Sequence, residues 1–315
     1  MQYVKKVLVT GASGFIGSRC LQPLIAKGYE VHAITSHPVP GASDARITWH
    51  RCDLLDSSAA AALIETVRAS HLLHLAWIAV PGKFWGSPDN LRWLAAGITL
   101  VDAFYRSGGR RVLGTGTCAE YAWGTEDFVE AATPLRPDTV YGRCKLALSL
   151  ALEASTAVHG GTSAWARLFF PYGPGEPPER LIPSVIRGLL SGEVVECTHG
   201  RQVRDFVYVD DVAAALVSLL DSKAQGAFNV GSGAGMTLRE VVALVTARLD
   251  HADLVRFGAR QPPPGDPGRV VANMDKLQQQ TGWQPAYSVE AGIDATIAAW
   301  RKRLGFIKEI RCESP

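Results

Sequence analysis

The chain has little net charge, few cysteines and no metal-ligand spacing among them. Lysine and arginine number 32 against 30 aspartates and glutamates, which leaves a formal charge of +2 over 315 residues. That balance excludes the strong basic field that draws a protein to nucleic acid, and no block of like charges reads as an interaction tail. The six cysteines stand apart at 20, 52, 118, 144, 197 and 312, with no CxxC and no histidine at zinc spacing. Such scatter predicts free thiols in a reducing compartment and gives no metal site. The opening "MQYVKKVLVTGASG" puts two lysines before a short apolar run and glycines, too short and wrongly flanked for a signal peptide or a membrane span. A cytoplasmic protein without membrane or nucleic-acid partners is the expectation.

What is present is alternation. Val4 to Thr10 reads as a buried strand, Phe15 to Lys27 as a helix, and "YEVHAIT" as a second strand after Gly28, a natural helix stop. The pattern continues through "RITWH", a helix from Ser57 to Ala69, "HLLHLA", a helix from Pro88 to Ser107, "RRVLGTG", a helix from Thr139 to His159, and "TSAWARLFF". Strands alternating with helices of this length predict an α/β fold, a doubly wound parallel sheet covered on both faces. After Phe170 the texture changes to "PYGPGEPPERLIP", a long loop leaving the sheet. "RDFVYVDDVAAALVSLL" reads as a strand and a helix capped by Asp210 or Asp211, "GAFNVGSG" as one more strand, and "GARQPPPGDPGR" as irregular. The expected division is 1–170 with 205–230 as a dinucleotide-binding domain, and 171–204 with 231–315 as a smaller mixed α/β substrate part.

Two motifs carry chemistry. "VLVTGASGFIG" sets Gly11, Gly14 and Gly17 between the first strand and the first helix. There the chain must turn tightly, let its backbone approach a pyrophosphate and pack the helix close to the sheet. The helix N-terminus then meets the anion. The spacing is GxxGxxG, so a mere tight turn is the alternative. In "TVYGRCK", Tyr141 and Lys145 lie four apart, on one face of a helix. They form either an acid/base pair or an aromatic and a charge that share a face.

In order and approximate spacing, "TGASGFIG", "CDLLD", "HLA", "GTGTCAEY", "YGRCK", "RLFFPYGP" and "RDFVYVDDVA" resemble the extended short-chain dehydrogenase/reductase family. That group includes NAD(P)-dependent nucleotide-sugar epimerases, dehydratases and ketoreductases on a Rossmann sheet. The resemblance implies that Tyr141 moves the substrate proton, Thr117 hydrogen-bonds the reacting oxygen, and Lys145 holds the nicotinamide ribose and lowers the Tyr pKa. A phenol with a free pKa near 10 needs such help to act at neutral pH. The resemblance also implies a cofactor surface of Gly11, Gly14, Phe15, Ile16, Gly17, Leu75 and Ala76, with Asp53 and Leu54 beside the adenine. An acid ending the second strand selects NAD. Here Thr35, Ser36 and His37 stand there, and Arg19 is placed to meet a 2′-phosphate. NADP(H) is therefore preferred, with NAD(H) possible.

A net reductase exchanges its cofactor, so the missing acid favours reduction of a keto group on a nucleotide-linked deoxysugar. Cys118-Ala119 stands where dehydratases of the family carry Asp-Glu, which argues against dehydration. The alternatives are an NAD-retaining epimerase, a reductase of a non-nucleotide carbonyl compound, and a cofactor-sensing protein without catalysis. Arg204 matches the family arginine on a sugar-nucleotide diphosphate, and Trp77, Cys118 and Glu120 are candidate pocket residues beside Tyr121, Phe84 and Trp85. Three positions depart from the family. Phe170 stands where many relatives have Asn near the phosphates, and Trp93 where a helix usually opens with Asn. Prolines 263 and 264 displace the arginine expected before the late "GD", leaving Arg260 or Arg269 as substitutes. Helices Pro88 to Ser107 and Thr139 to His159 resemble those that pair between subunits in this family, implying a homodimer.

Overall fold

The computed structural model describes residues 5–39, 44–78 and 80–305; Val4, Ala79 and Cys312 fall outside the described residues. The first half of the chain alternates almost without interruption. It runs β1 (Lys5–Thr10), α1 (Gly17–Ala26), β2 (Tyr29–Thr35), β3 (Ile47–Arg51), α2 (Ser57–Val67), β4 (His71–His74), α3 (Asp89–Arg106), β5 (Arg111–Thr117), α4 (Val140–His159) and β6 (Thr162–Leu168). The second half contains β7 (Phe170–Tyr172), α5 (Leu181–Leu190), β8 (Val195–Cys197), β9 (Val203–Tyr208), α6 (Val209–Asp221), β10 (Gly226–Val230), β11 (Gly235–Thr237), α7 (Leu238–Leu249), β12 (Val255–Phe257), β13 (Arg269–Val270), α8 (Asp275–Thr281) and α9 (Val289–Arg303).

Seven strands form one parallel sheet in the order β10-β6-β5-β4-β1-β2-β3. Val7, Leu8 and Val9 of β1 are wholly buried, as are Leu72 and Leu73 of β4 and Val112 and Leu113 of β5. Continuous apolar runs of this kind belong to a sheet covered on both faces, as the alternation predicts. The order reverses at β1, whose neighbours are β2 on one side and β4 on the other. A crevice outside the carboxyl ends of the strands is expected at such a switch point.

"TSAWARLFF" does not stay in one strand. β6 ends at Leu168, Phe169 donates its N–H to Val230 O, and β7 joins a second sheet by pairing with β9. That smaller sheet has the order β11-β9-β13, with β7 also beside β9. Residues 205–208, expected in the dinucleotide-binding domain, belong to β9 and lie in the small sheet, while α6 and β10 return to the large one. A local pattern cannot distinguish the two because each sheet takes a buried strand of this kind, although β9 also pairs antiparallel with β11. The second lobe closes over its own core, in which Ile182, Val185 and Ile186 of α5 meet Val241 and Val245 of α7 and Ile293, Ile297 and Trp300 of α9.

The cap expected for α6 also differs. The helix follows β9 directly and has no side-chain cap. Asp211 instead accepts the N–H groups of Ala286 and Tyr287 at 2.8 and 3.1 Å, tying the chain before α9 to α6. Asp210 pairs with Arg19.

Candidate active site

The glycine turn opens the cleft. Gly11 has φ +66°, and a Cβ there would meet Ala76 N at 2.9 Å. At Gly17 a Cβ would stand 2.2 Å from Gly11 O, so only glycine lets the turn fold back on itself. No side chain caps the N-terminus of α1, which begins just past this turn. Gly11, Gly14, Phe15, Ile16, Gly17, Leu75 and Ala76 all line one wall of a cleft of about 380 Å³. A glycine cradle closed by an uncapped helix end fits a dinucleotide's pyrophosphate.

Further along the cleft stand Thr117, Tyr141 and Lys145. Thr139 caps α4 by accepting Gly142 N–H at 3.0 Å, which places Tyr141 and Lys145 one turn apart on its first turns. Gly142 makes the approach possible, since a Cβ there would strike Ala119 O at 2.3 Å. α4 thus packs on the 3₁₀ turn Cys118–Glu120, and Tyr141 lines the same cleft as Thr117. Thr117 accepts Ala119 N–H at 3.2 Å, which leaves its own proton to donate. Burial raises the Tyr141 pKa above the usual phenol value, and the Thr117 contact opposes that shift. Lys145 is buried, donates to Thr115 O at 2.8 Å and lies 4.1 Å from the centre of the Trp77 ring. Desolvation pushes its pKa down to about 7, against the pull of Glu120. Beneath the site, buried His74 bonds Thr10 Oγ1 through Nδ1 at 2.8 Å, and burial pushes its pKa down to about 3. Thr10 Oγ1 already accepts Leu75 and Ala76 N–H groups, so it donates to the ring and His74 is a neutral acceptor there.

The remaining expected residues divide. Trp77, Cys118, Phe170 and Arg204 line the cleft, together with Phe84, Trp85, Trp123 and Arg180. Arg204 is tied by Nη2 to Asp266 at 2.6 Å and by Nη1 to Pro267 O at 2.8 Å. Arg180 is held by Glu176 at 2.9 Å. Both cleft arginines thus carry internal carboxylate partners. Glu120 does not reach the cleft: it is wholly buried and accepts from Thr117 N, Trp165 Nε1 and Arg167 Nε. Tyr121 is likewise internal, with its hydroxyl between Arg167 and Asn229. Arg260 is largely exposed beside Glu196, and Arg269 pairs with Asp127, so neither substitutes for the displaced arginine. Arg19 is already engaged by Asp210 and by Pro174 O at 2.9 Å, which commits it to the loop after β7. Ser36, His37 and Asp53 are exposed just past β2 and β3, and Leu54 is buried in the core; none lines the cleft. Asp56, not Asp53, caps α2.

One site residue escaped the sequence reading. Asn90, in the first turn of α3, is wholly buried and binds Trp77, Phe84 and Ser87. The signal was an Asn three residues before Trp93, one turn from where the family pattern expects it.

The family model for the NAD-dependent epimerase/dehydratase family matches residues 7–231. The chain belongs to that family. It is an enzyme of the extended short-chain dehydrogenase/reductase type. It is 28% identical over 310 residues to a UDP-glucose 4-epimerase of Corynebacterium glutamicum, covering 90% of this chain and 92% of that one. A dTDP-glucose 4,6-dehydratase of Neisseria gonorrhoeae is 26% identical, covering 93% and 94%. Among solved structures, the Thermus thermophilus UDP-glucose 4-epimerase in complex with NAD is 29% identical with a TM-score of 0.83, covering 94% of this chain and 99% of that one. Among the described residues no helix is long and apolar enough to cross a membrane.

Proposed function

We propose that this enzyme reduces a keto group on a nucleotide-linked sugar, with Tyr141 as proton donor. The observation that carries the reading is that Thr117, Tyr141 and Lys145 line one cleft, where desolvation of the phenol favours its protonated form. Gly11, Gly14, Gly17 and the start of α1 would hold a nicotinamide dinucleotide, which when bound supplies the hydride. Lys145 would bind its ribose. Thr117, with its own proton free, orients the carbonyl oxygen as Tyr141 protonates it. Thr35, Ser36 and His37 put no carboxylate at the end of β2, which supports NADP(H). Arg19 adds nothing to that preference, because Asp210 and Pro174 already hold it.

Arg204 and Arg180 are the cleft cations that would meet a diphosphate. The epimerase reading is the rival, favoured by the relatives named above. It predicts tightly retained NAD and no net use of reduced cofactor. Mass spectrometry of what copurifies, followed by NADPH consumption with UDP- and dTDP-linked 4-keto sugars, separates the two. Tyr141→Phe is expected to lower kcat by about 10²–10⁴-fold while cofactor binding persists. Turnover at the normal rate would refute the role given to Tyr141.

We further propose a homodimer through α3 and α4, whose outer faces expose Leu91, Ile98, Leu150 and Val158, the last at 80%. Exposed apolar residues along two adjacent helices support that reading. Solution scattering that gives a monomer at micromolar concentration would refute it. The described cysteines are all buried and unpaired, which supports a reducing, cytoplasmic setting.

A further inference from the structure

We propose that Asn90 is the positioning residue of this site, a single buried amide on α3 that holds the covers of both Tyr141 and Lys145 while touching neither. The inference rests on the reading of Lys145 as a cofactor ligand. Asn90 Oδ1 accepts the Trp77 indole N–H at 2.8 Å, and Nδ2 donates to Phe84 O at 2.7 Å and Ser87 O at 2.8 Å. Both amide donors and one acceptor position are used, so a flipped amide would set donors against the indole N–H and oxygen against a carbonyl. The amide has one orientation.

Each bond leads to a member of the pair. Trp77 lies with its ring over the Lys145 ammonium, which Thr115 O holds from the other side. The turn fixed at Phe84 and Ser87 carries Trp85, whose carbonyl accepts Tyr141 N–H at 3.1 Å. The rings of Phe84 and Trp85 meet the Tyr141 ring edge-on, with centroids 4.8 and 5.7 Å away. The other groups facing Lys145 are the carboxylate of Glu120 below β5 and neutral His74 at the end of β4. Neither touches Asn90, so the amide acts through rings and backbone rather than through charge. Removing it leaves a part-buried indole N–H and two carbonyls without their partner and admits water to the ammonium.

The test uses the full chain and NAD⁺ as probe, titrated by tryptophan quenching across pH, with exchange of the Tyr141 amide followed separately by mass spectrometry. Lys145→Met is expected to abolish a pH-dependent step in NAD⁺ affinity. Asn90→Ala and Trp77→Phe are each expected to move that step upward by about one pH unit, and the double variant no further than the larger single. The Tyr141 amide should exchange about tenfold faster in Asn90→Ala, and at the wild-type rate in Trp77→Phe. Should Asn90→Ala fail to fold, Trp77→Phe, which removes the N–H and keeps a ring, carries the affinity test. A folded Asn90→Ala protein with an unmoved step and unchanged exchange overturns the proposal, as do additive single effects. A step that survives Lys145→Met overturns it by removing its premise, and is thereby told apart from a failure of the coupling alone.

Discussion

Behind Thr117 and Cys118, which line the cleft, buried polar side chains satisfy one another. Glu120 accepts from Arg167, Trp165 and the Thr117 backbone, and Tyr121 bridges Arg167 to Asn229. Asn229 reaches on to Phe128 O, which itself accepts Asn273 N–H in the second lobe. Elsewhere the cleft is lined by the rings of Trp77, Phe84 and Trp85, the last at 42% exposure, with Trp77 and the turn at Phe84 held by Asn90. A charged network in low dielectric has one acceptable geometry, whereas tilted and edge-on rings tolerate small shifts at little cost. The fixed wall therefore presents Thr117 in one orientation, while the ring wall can adjust to what enters. Tyr141 and Lys145 stand on α4 between them and take position from one wall and cover from the other.

The sharpest way to break this comparison is to empty the fixed wall. Glu120→Ala leaves the Arg167 guanidinium buried without its carboxylate and the Thr117 N–H unbound. It is expected to cost about 3–5 kcal/mol of stability, the range for breaking a buried pair. Urea denaturation with unchanged m-value would report it. A loss below about 1 kcal/mol would mean that Arg167 finds water, and that the wall is not the closed network described.

Lys145 gives an intermediate test, because its cost depends on pH. Burial holds its folded pKa at about 7 against a reference value of 10.5. Below about 7 both states hold the proton and the cost of burying the charge is present in full. Between those values the unfolded chain binds more protons, so the stability of the wild type rises with pH, by up to about 1.4 kcal/mol per unit. Lys145→Met is then expected to be the more stable protein near pH 6, with its advantage shrinking toward about pH 10. Denaturation curves at several pH values check the slope. A constant difference would place the ammonium in solvent and remove the ring wall's cover from it.

How far the sequence led follows the same division. The large sheet was legible because Val7–Val9 and Leu72–Leu73 are continuous apolar runs between helical patterns, and the cleft glycines because only glycine fits their contacts. The spacing of Tyr141 and Lys145 put them one turn apart on a regular α4, but only the family resemblance gave the pair a role. Glu120 was misplaced because a carboxylate three residues after Thr117 looks the same in sequence whether it faces the cleft or Arg167, forty-seven residues away. Arg19 and Arg204 were recognised as cations, but Asp210 and Asp266, which hold them, lie too far along the chain for any local pattern to pair. Residues 205–208 were expected with the dinucleotide-binding part for a similar reason: the neighbours of β9, which are β7, β11 and β13, are set by topology, and its own residues read as a buried strand in either place.

The smallest expected effect tests the ring wall directly. Trp85 contributes one edge-on contact to Tyr141, worth about 0.5–1.5 kcal/mol when fully buried and less on a ring this exposed. Its carbonyl, which holds the Tyr141 N–H, belongs to the backbone and survives truncation of the side chain. Trp85→Ala is therefore expected to shift stability by less than about 1 kcal/mol, leaving a melting temperature within a few degrees of wild type. The same change widens the substrate side of the cleft, so KM for the sugar nucleotide should rise several-fold with kcat held within about twofold. A stability loss approaching that of Glu120→Ala would show the ring wall to be as rigidly built as the polar one. A fall in kcat without a rise in KM would move Trp85 from meeting the substrate to aiming Tyr141, and the adjustable wall would then be smaller than its exposure suggests.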